Sequence, residues 1–523
     1  MYITQGLHRH LQQQPDVVAI RAPGRNLTFA ELEQRVARLA GAFKALGIGS
    51  GERVAMLSLN SHRYIEYYLA VPWADAVLNP VNSRWSVAEI LYALDDSQTS
   101  LLIVDETFKA MGAQLIERAS TVRQVIYAGD GGTPPGMLSY ETLLAAAEPV
   151  QDARRHGDAL AGIFYTGGTT GAPKGVMLSH NNLASSALAT LSAGEYAART
   201  VYLHVMPMFH VAGFAALNAL LISGGTHILL PSFVPQAVLE TIYRERVTQL
   251  LLAPTMLQML LKWCDDNPQA AALLDLSSIE RITYGASPIT PALLDRACRM
   301  FQAASFTQGY GMTELSPTAC RLGPEHHSAA GQASGRMYSA GRATNSVEVL
   351  IVNENDLEVS RGTVGEIVVR GPNVMLGYWN KPEATAEALR NGWMHTGDCA
   401  YMDDEGFVYV VDRLKDMIVS GGENIYSAEV ESALSSHSAV AQCAVIGIPS
   451  DQWGESVHAV IVLKPDTCTD LEDLQRHCRE RIAGYKCLRS VEFREALPLT
   501  GVGKVLKTEL RKQFRESNSQ KIS

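Results

Sequence analysis

The sequence predicts an α/β protein with a second, smaller α+β unit, and three observations carry that expectation. Capped amphipathic helices alternate with short β-rich runs over the first three hundred or so residues. Those runs are almost continuously apolar, as strands are when helices cover both faces of a parallel sheet. At 523 residues the chain also exceeds the size at which one hydrophobic core stops growing, so more than one domain is expected.

Taken in order, Thr28-Phe29-Ala30-Glu31 has capping-box spacing and opens a helix that runs to about Gly47. A strand follows over 53–59, and Ser86-Val87-Ala88-Glu89 repeats the box before Leu94. Further strands are predicted over 101–104, 227–230, 250–253 and 281–284, with the Gly/Pro-rich stretch 130–136 as a loop. From about Val347 the pattern becomes strand-rich, over 347–352, 366–370 and 408–411, and predicts an antiparallel segment. The polar run Asp412-Arg413-Leu414-Lys415-Asp416 marks a boundary. It gives an N-terminal domain over 1–413, a connection over 414–416 and a C-terminal unit over 417–523, with helices around 428–434 and 471–482.

Composition narrows the function. Acidic residues outnumber basic ones, 54 to 44, for a formal charge of −10, which disfavours a nucleic-acid-binding surface. The eight cysteines show no Cys-x-x-Cys pair and read as reduced thiols, so a cytoplasmic protein is expected. The N-terminus lacks the apolar core of a signal peptide, and the longest apolar stretch, 211–222, is too short to span a bilayer.

The most telling stretch is Tyr165-Thr166-Gly167-Gly168-Thr169-Thr170-Gly171-Ala172-Pro173-Lys174-Gly175. Glycines free backbone N–H groups to turn toward one anion, threonine hydroxyls add donors or a metal contact, and the lysine adds a compact positive charge. That composition grips phosphates. It is not a Walker loop, which needs Gly-Lys-Ser/Thr opening a helix.

Five further segments share the chain with it: Tyr284-Gly285-Ala286-Ser287-Pro288, Gln308-Gly309-Tyr310-Gly311-Met312-Thr313-Glu314, Thr396-Gly397-Asp398, the 412–416 run, and Pro498-Leu499-Thr500-Gly501-Val502-Gly503-Lys504. In this order and spacing the chain resembles the adenylate-forming superfamily, in its acyl-CoA synthetase branch. The resemblance implies an enzyme that condenses a carboxylic acid with ATP to an acyl-adenylate and then passes the acyl group to CoA. It implies that Thr166, Gly167, Gly168, Thr169, Thr170 and Lys174 hold phosphates, and that Glu314 with Thr170 places Mg²⁺. Gly285, Ala286, Gln308, Gly309, Tyr310 and Thr313 would surround the nucleotide, Asp398 would accept from the ribose hydroxyls, and Arg413 would contact ribose or phosphate. Lys504 would bridge the acyl carboxylate and the α-phosphate, Lys415 would be the hinge of a mobile C-terminal domain, and Gly421 and Gly422 would flank the CoA pantetheine. A homodimer is left open.

The same resemblance bears on the acid. Amino-acid-activating relatives carry an aspartate where this chain has His210, and malonate-activating ones an arginine where 255–259 has none. A monocarboxylic acid with an apolar body remains, held near His210, Gly285, Gly309 and Gly311. Methionines 206, 208, 256 and 259 either line that pocket or fill the core. Medium- or long-chain fatty acids fit, which would place the enzyme in fatty acid metabolism; hydroxycinnamate-like aryl acids and a carrier-protein loader are the competing expectations. The chain departs from the superfamily at Gly167, where serine is usual, at Ser427, where many relatives have proline, and at Asp75, where glycine is common.

Overall fold

The computed structural model describes residues 1–523 except 23, 167–172, 288, 421–422, 451, 500–504 and 521–523. Among the described residues the strands form four sheets. The larger two are mainly parallel. One runs in the order Arg342–Ala343, Thr318–Leu322, Ser305–Gly311, Arg281–Gly285, Gln249–Leu252, Val201–His204, Thr226–Leu229, Val18–Ala22 and Arg25–Thr28. The other is built around Lys174–Ser179, Leu160–Thr166, Val77–Pro80, Arg53–Leu57 and Thr99–Val104, with Gly377–Tyr378 at its edge. A smaller sheet of Glu348–Val352, Gly365–Arg370, Met394–Met402 and Val408–Arg413 is antiparallel throughout, as the strand-rich pattern predicts. Beyond Asp416, Ile418–Ser420, Glu423–Ile425, Val440–Ser450, Gly454–Leu463 and Ser490–Phe493 make the fourth sheet. Its core is its own, centred on Ile418, Val430, Val445, Ile461 and Leu474.

Local chemistry explains where elements begin and end. Both capping boxes close: the hydroxyl of Thr28 accepts from the Glu31 N–H while Glu31 accepts from the Thr28 N–H, and Ser86 with Glu89 does the same. Each satisfies two orphan donors and contributes about 1 kcal/mol to its helix. The strand expected to reach residue 59 stops at Leu57, where the Asp105 carboxylate takes the Leu59 N–H at 2.7 Å, away from any ladder partner, and accepts from the Ser58 hydroxyl at 3.1 Å. The helix expected over 471–482 ends at Arg479. Three of the four methionines are core filler: Met206 and Met256 pack under the nine-stranded sheet and Met208 in the larger core, whereas Met259 is exposed.

Asp75 adopts φ 69°, the left-handed region in which glycine is at ease, and its carboxylate pairs with the Arg155 guanidinium. That explains how a non-glycine residue occupies the position, and it points the side chain at Arg155.

Four histidines are buried in surroundings that favour the neutral ring. His204 and His227 stack with centroids 5.2 Å apart and share a 3.0 Å hydrogen bond. Burial pushes His227 down to about 3 and His180 and His327 down to about 4, and it lowers His204 as well. Their folded-state values lie below the unfolded value near 6.5, so the unfolded chain binds more protons between about pH 4 and 6.5 and stability falls as pH drops through that window. Urea unfolding at pH 5.5 should show stability lower than at pH 7.5 by about 1 kcal/mol for each such histidine; equal midpoints at the two pH values would mean that these rings are hydrated.

Candidate active site

Three sheets contribute. Arg281–Gly285 and Ser305–Gly311 lie side by side and parallel, in a register that puts Thr283 beside Thr307 and Gly285 beside Gly309. Close approach requires the glycines: a Cβ on Gly285 would stand 2.3 Å from the Gly309 carbonyl oxygen, and one on Gly311 1.9 Å from that of Pro317. A Cβ on Gly309 would meet no atom within 4 Å, so this position faces open space. Ala286 leaves its strand at φ 68°, a strained conformation of the kind that clusters at functional sites.

Tyr310, on the same strand as Gly309, reaches the antiparallel sheet. Its hydroxyl donates to Asp398 Oδ2 at 2.8 Å, and Arg413 Nε lies 3.1 Å from Oδ1 of the same carboxylate. Asp398 and Arg413 are direct partners across the Met394–Met402 and Val408–Arg413 strands. The Thr396 hydroxyl accepts from the Asp398 N–H at 3.2 Å and donates to the Ile367 carbonyl at 2.8 Å, which fixes the turn. An ionised carboxylate has about four acceptor sites. Tyr310 and Arg413 take one on each oxygen, and two remain for a pair of hydroxyls such as a vicinal diol. Burial, with Asp398 and its hydrogen bond, raises the Tyr310 phenol well above its usual value, so it stays a donor.

Glu314 sits in the short Thr313–Leu315 turn after the glycine strand, 6% exposed. The Tyr378 hydroxyl donates to its Oε1 at 2.8 Å, and Lys174 Nζ lies 4.7 Å from the centre of the Tyr378 ring. Lys174 is in turn the strand partner of Thr166. Burial raises the Glu314 carboxyl, while Tyr378, Arg413 and Lys174 favour its charged form. Among the described residues no group of three His, Cys, Asp or Glu side chains could hold a metal by itself. A lone buried carboxylate suits a hard cation whose other oxygen donors come from phosphates and water.

The structure therefore links Thr166, Lys174, Gly285, Ala286, Gly309, Tyr310, Gly311, Thr313, Glu314, Asp398 and Arg413 across three sheets, through the Tyr310–Asp398–Arg413 and Lys174–Tyr378–Glu314 contacts. His210 is the N-terminal cap of the helix Val211–Ser223, its ring 4.1 Å from that of Phe209. Lys415 is exposed, two residues past Arg413. The expectations at Gly167, Gly168, Thr169, Thr170, Gly421, Gly422 and Lys504 fall outside the described residues. Sequence reasoning passed over Tyr378 and gave Thr396 no role beyond its place in the Thr396-Gly397-Asp398 segment. Tyr378 lies 64 positions from Glu314, and no periodicity links the two.

The pattern of the chain matches the AMP-binding enzyme family over residues 7–379 and the C-terminal domain of AMP-binding enzymes over residues 429–504. The chain belongs to that family. Within it, this AMP-binding enzyme falls in the acyl-CoA ligase branch of the adenylate-forming superfamily. It is 41% identical to a feruloyl-CoA synthase of an Amycolatopsis species over 97% of this chain and 98% of that one. It is 36% identical to a medium/long-chain-fatty-acid–CoA ligase of Mycobacterium tuberculosis, over 94% and 86%. Its fold is similar to that of the o-succinylbenzoate-CoA synthetase of Bacillus subtilis solved with its acyl-adenylate intermediate, with TM-score 0.83 and 33% identity over 97% of each chain. No helix among the described residues of this AMP-binding enzyme is long and apolar enough to cross a membrane.

Tyr378→Phe deletes one of the groups that favour ionised Glu314, so the Glu314 carboxyl rises further. The acid limb of ATP-dependent activity should accordingly move to higher pH. A pH–rate profile checks this, and an unmoved limb would separate Glu314 from the rate.

Proposed function

We propose that this chain is an AMP-forming acid:CoA ligase. The observation that carries the reading is the Asp398 carboxylate, held by Tyr310 and Arg413 with two acceptor sites to spare where the glycine strands end. Those sites suit the ribose hydroxyls of ATP, with the adenine against Tyr310 and beside Gly285, Ala286, Gln308 and Gly309. Lys174, with Thr166 and the loop 167–170, takes the phosphates. Glu314 suits Mg²⁺, with Thr170 as the second group proposed to hold it, and the ion when bound would spread the charge of the phosphates.

A carboxylate is a poor electrophile, and the first half-reaction also brings it against a polyanion. Positive charge fixed before the encounter lowers that barrier. In the first step a carboxylate oxygen attacks the α-phosphorus, the bond to the bridging oxygen breaks and pyrophosphate leaves. In the second the CoA sulfur attacks the acyl carbon, the carbon–oxygen bond to AMP breaks, and the thiol proton passes to solvent. Lys504 serves the first step by bridging the carboxylate and the α-phosphate. The division into 1–413 and 417–523 about Lys415 allows the C-terminal unit to withdraw Lys504 and present Gly421 and Gly422 to the pantetheine. The independent core of the unit beyond Asp416 supports such a movement.

Lys504→Ala should abolish acyl-adenylate formation from ATP while leaving thioester formation from supplied acyl-adenylate within a few-fold of the unaltered enzyme; equal loss of both half-reactions would overturn this assignment. Asp398→Asn removes a charge-assisted acceptor and should weaken ATP binding about 10- to 100-fold by titration calorimetry.

A further inference from the structure

The run 412–416 carries the chain from the antiparallel sheet into the C-terminal unit, and a polar network grips it on both sides of Lys415. Asp412 is still a strand residue, paired with Cys399, and is only 8% exposed. Its Oδ1 accepts from the Arg413 N–H at 2.7 Å. Its Oδ2 reaches across the connection to Ser427, the first residue of the helix Ser427–Ser435, and accepts from the Ser427 N–H and, at 2.7 Å, from the Ser427 hydroxyl. Ser427 is fully buried.

The final helix, Lys507–Gln520, completes the network. Lys507 Nζ donates to the Ser427 hydroxyl at 2.6 Å and lies 2.7 Å from Glu431 Oε1, while Arg511 Nη2 donates to Asp416 Oδ1 at 2.8 Å. Residues four apart share a helix face, so one face of this helix holds Asp412 through Ser427 and Asp416 directly. Between the two grips Leu414 and Lys415 are exposed. The Ser427 hydroxyl gives its one proton to Asp412 and accepts one from Lys507. A proline at 427, which many relatives carry, has neither the N–H nor the hydroxyl and makes none of these bonds.

Asp412 belongs to the antiparallel sheet, whereas the helix that Ser427 begins packs Val430, Ala433 and Leu434 into the core of the C-terminal unit. A rotation of that unit about Lys415 therefore carries Ser427 away and leaves Asp412 behind. Resting on the ligase reading and its moving C-terminal unit, we infer that Ser427 is a positioning residue for the two-step reaction: with Asp412 and Lys507 it latches the unit in one of its two orientations, and the latch opens before the half-reaction that needs the other. The latch is anchored beside the nucleotide site, because the same carboxylate holds the backbone of Arg413, whose guanidinium pairs with Asp398. Buried hydrogen bonds to a charged group are the strong kind, and losing two from one carboxylate shifts an orientation equilibrium by about tenfold or more.

The test compares the unaltered full-length enzyme with Ser427→Ala, which keeps the N–H, and Ser427→Pro, which loses both donors. Proline suits the first position of a helix, and Tyr426 before it is extended at φ −85° and ψ 116°, so both variants should fold. An acid accepted from among octanoic, hexadecanoic, phenylacetic and ferulic acids is followed in two single-turnover reactions: pyrophosphate release from ATP without CoA, and thioester formation from CoA and supplied acyl-adenylate. The ratio of the two rates should move in the same direction in both variants, a few-fold in Ser427→Ala and about tenfold in Ser427→Pro. A serine that serves only the fold would change the active fraction, lower both rates together and leave the ratio where it was. A ratio unmoved in Ser427→Pro, or shifts of opposite sign in the two variants, overturns the inference while the ligase reading stands. Thioester formation with none of the acids overturns the ligase reading, and this inference with it.

Discussion

The carboxylate of Asp398 is the point on which two sheets converge. Tyr310 comes from the large parallel sheet, Asp398 and Arg413 come from the antiparallel one, and Arg413 stands at the last strand position before the chain leaves for the C-terminal unit. A buried carboxylate must have its charge compensated or it takes up a proton. Here a phenol that stays protonated and a guanidinium that cannot lose its charge supply the compensation. The pairing that steadies the carboxylate also fixes how the two sheets meet and the direction in which the chain departs.

Glu314 is handled differently. Its partner Tyr378 is neutral, and the cationic Lys174 lies across the ring of that tyrosine. Its charge is therefore less fully offset within the protein, and burial raises its carboxyl. The two carboxylates are chemically alike and separated in sequence by 84 positions, yet one environment saturates its charge and the other leaves part of it for a cation. Second contacts of this kind, Tyr310 with Asp398 and Tyr378 with Glu314, distinguish two acids that local sequence treats as equivalent.

Much of the fold was legible because its signals are local. Capping boxes at Thr28 and Ser86, β-rich runs over 281–284 and 101–104, and the shift to antiparallel strands after Val347 each rest on a few neighbouring residues. Strand ends were less legible: nothing near Leu57 announces that Asp105 will capture the next two residues. At the site the motifs gave residue identities, while the contacts between them came only from folding. The methionines, conspicuous in the sequence, proved to be packing at Met206, Met208 and Met256, and surface at Met259.

The turn at Asp75 has a consequence for how sequences of this kind drift. Holding a non-glycine residue at φ 69° costs roughly 1 kcal/mol, and an exposed carboxylate–guanidinium pair returns up to about 1 kcal/mol. The glycine turn and the aspartate–arginine turn are therefore nearly equal in free energy, but the path between them is ordered. Aspartate arriving before Arg155 bears the backbone strain with no partner, whereas arginine arriving first is nearly neutral at the surface. Aspartate at 75 is thus tolerated more readily where an arginine already stands at 155, 80 residues away in the chain.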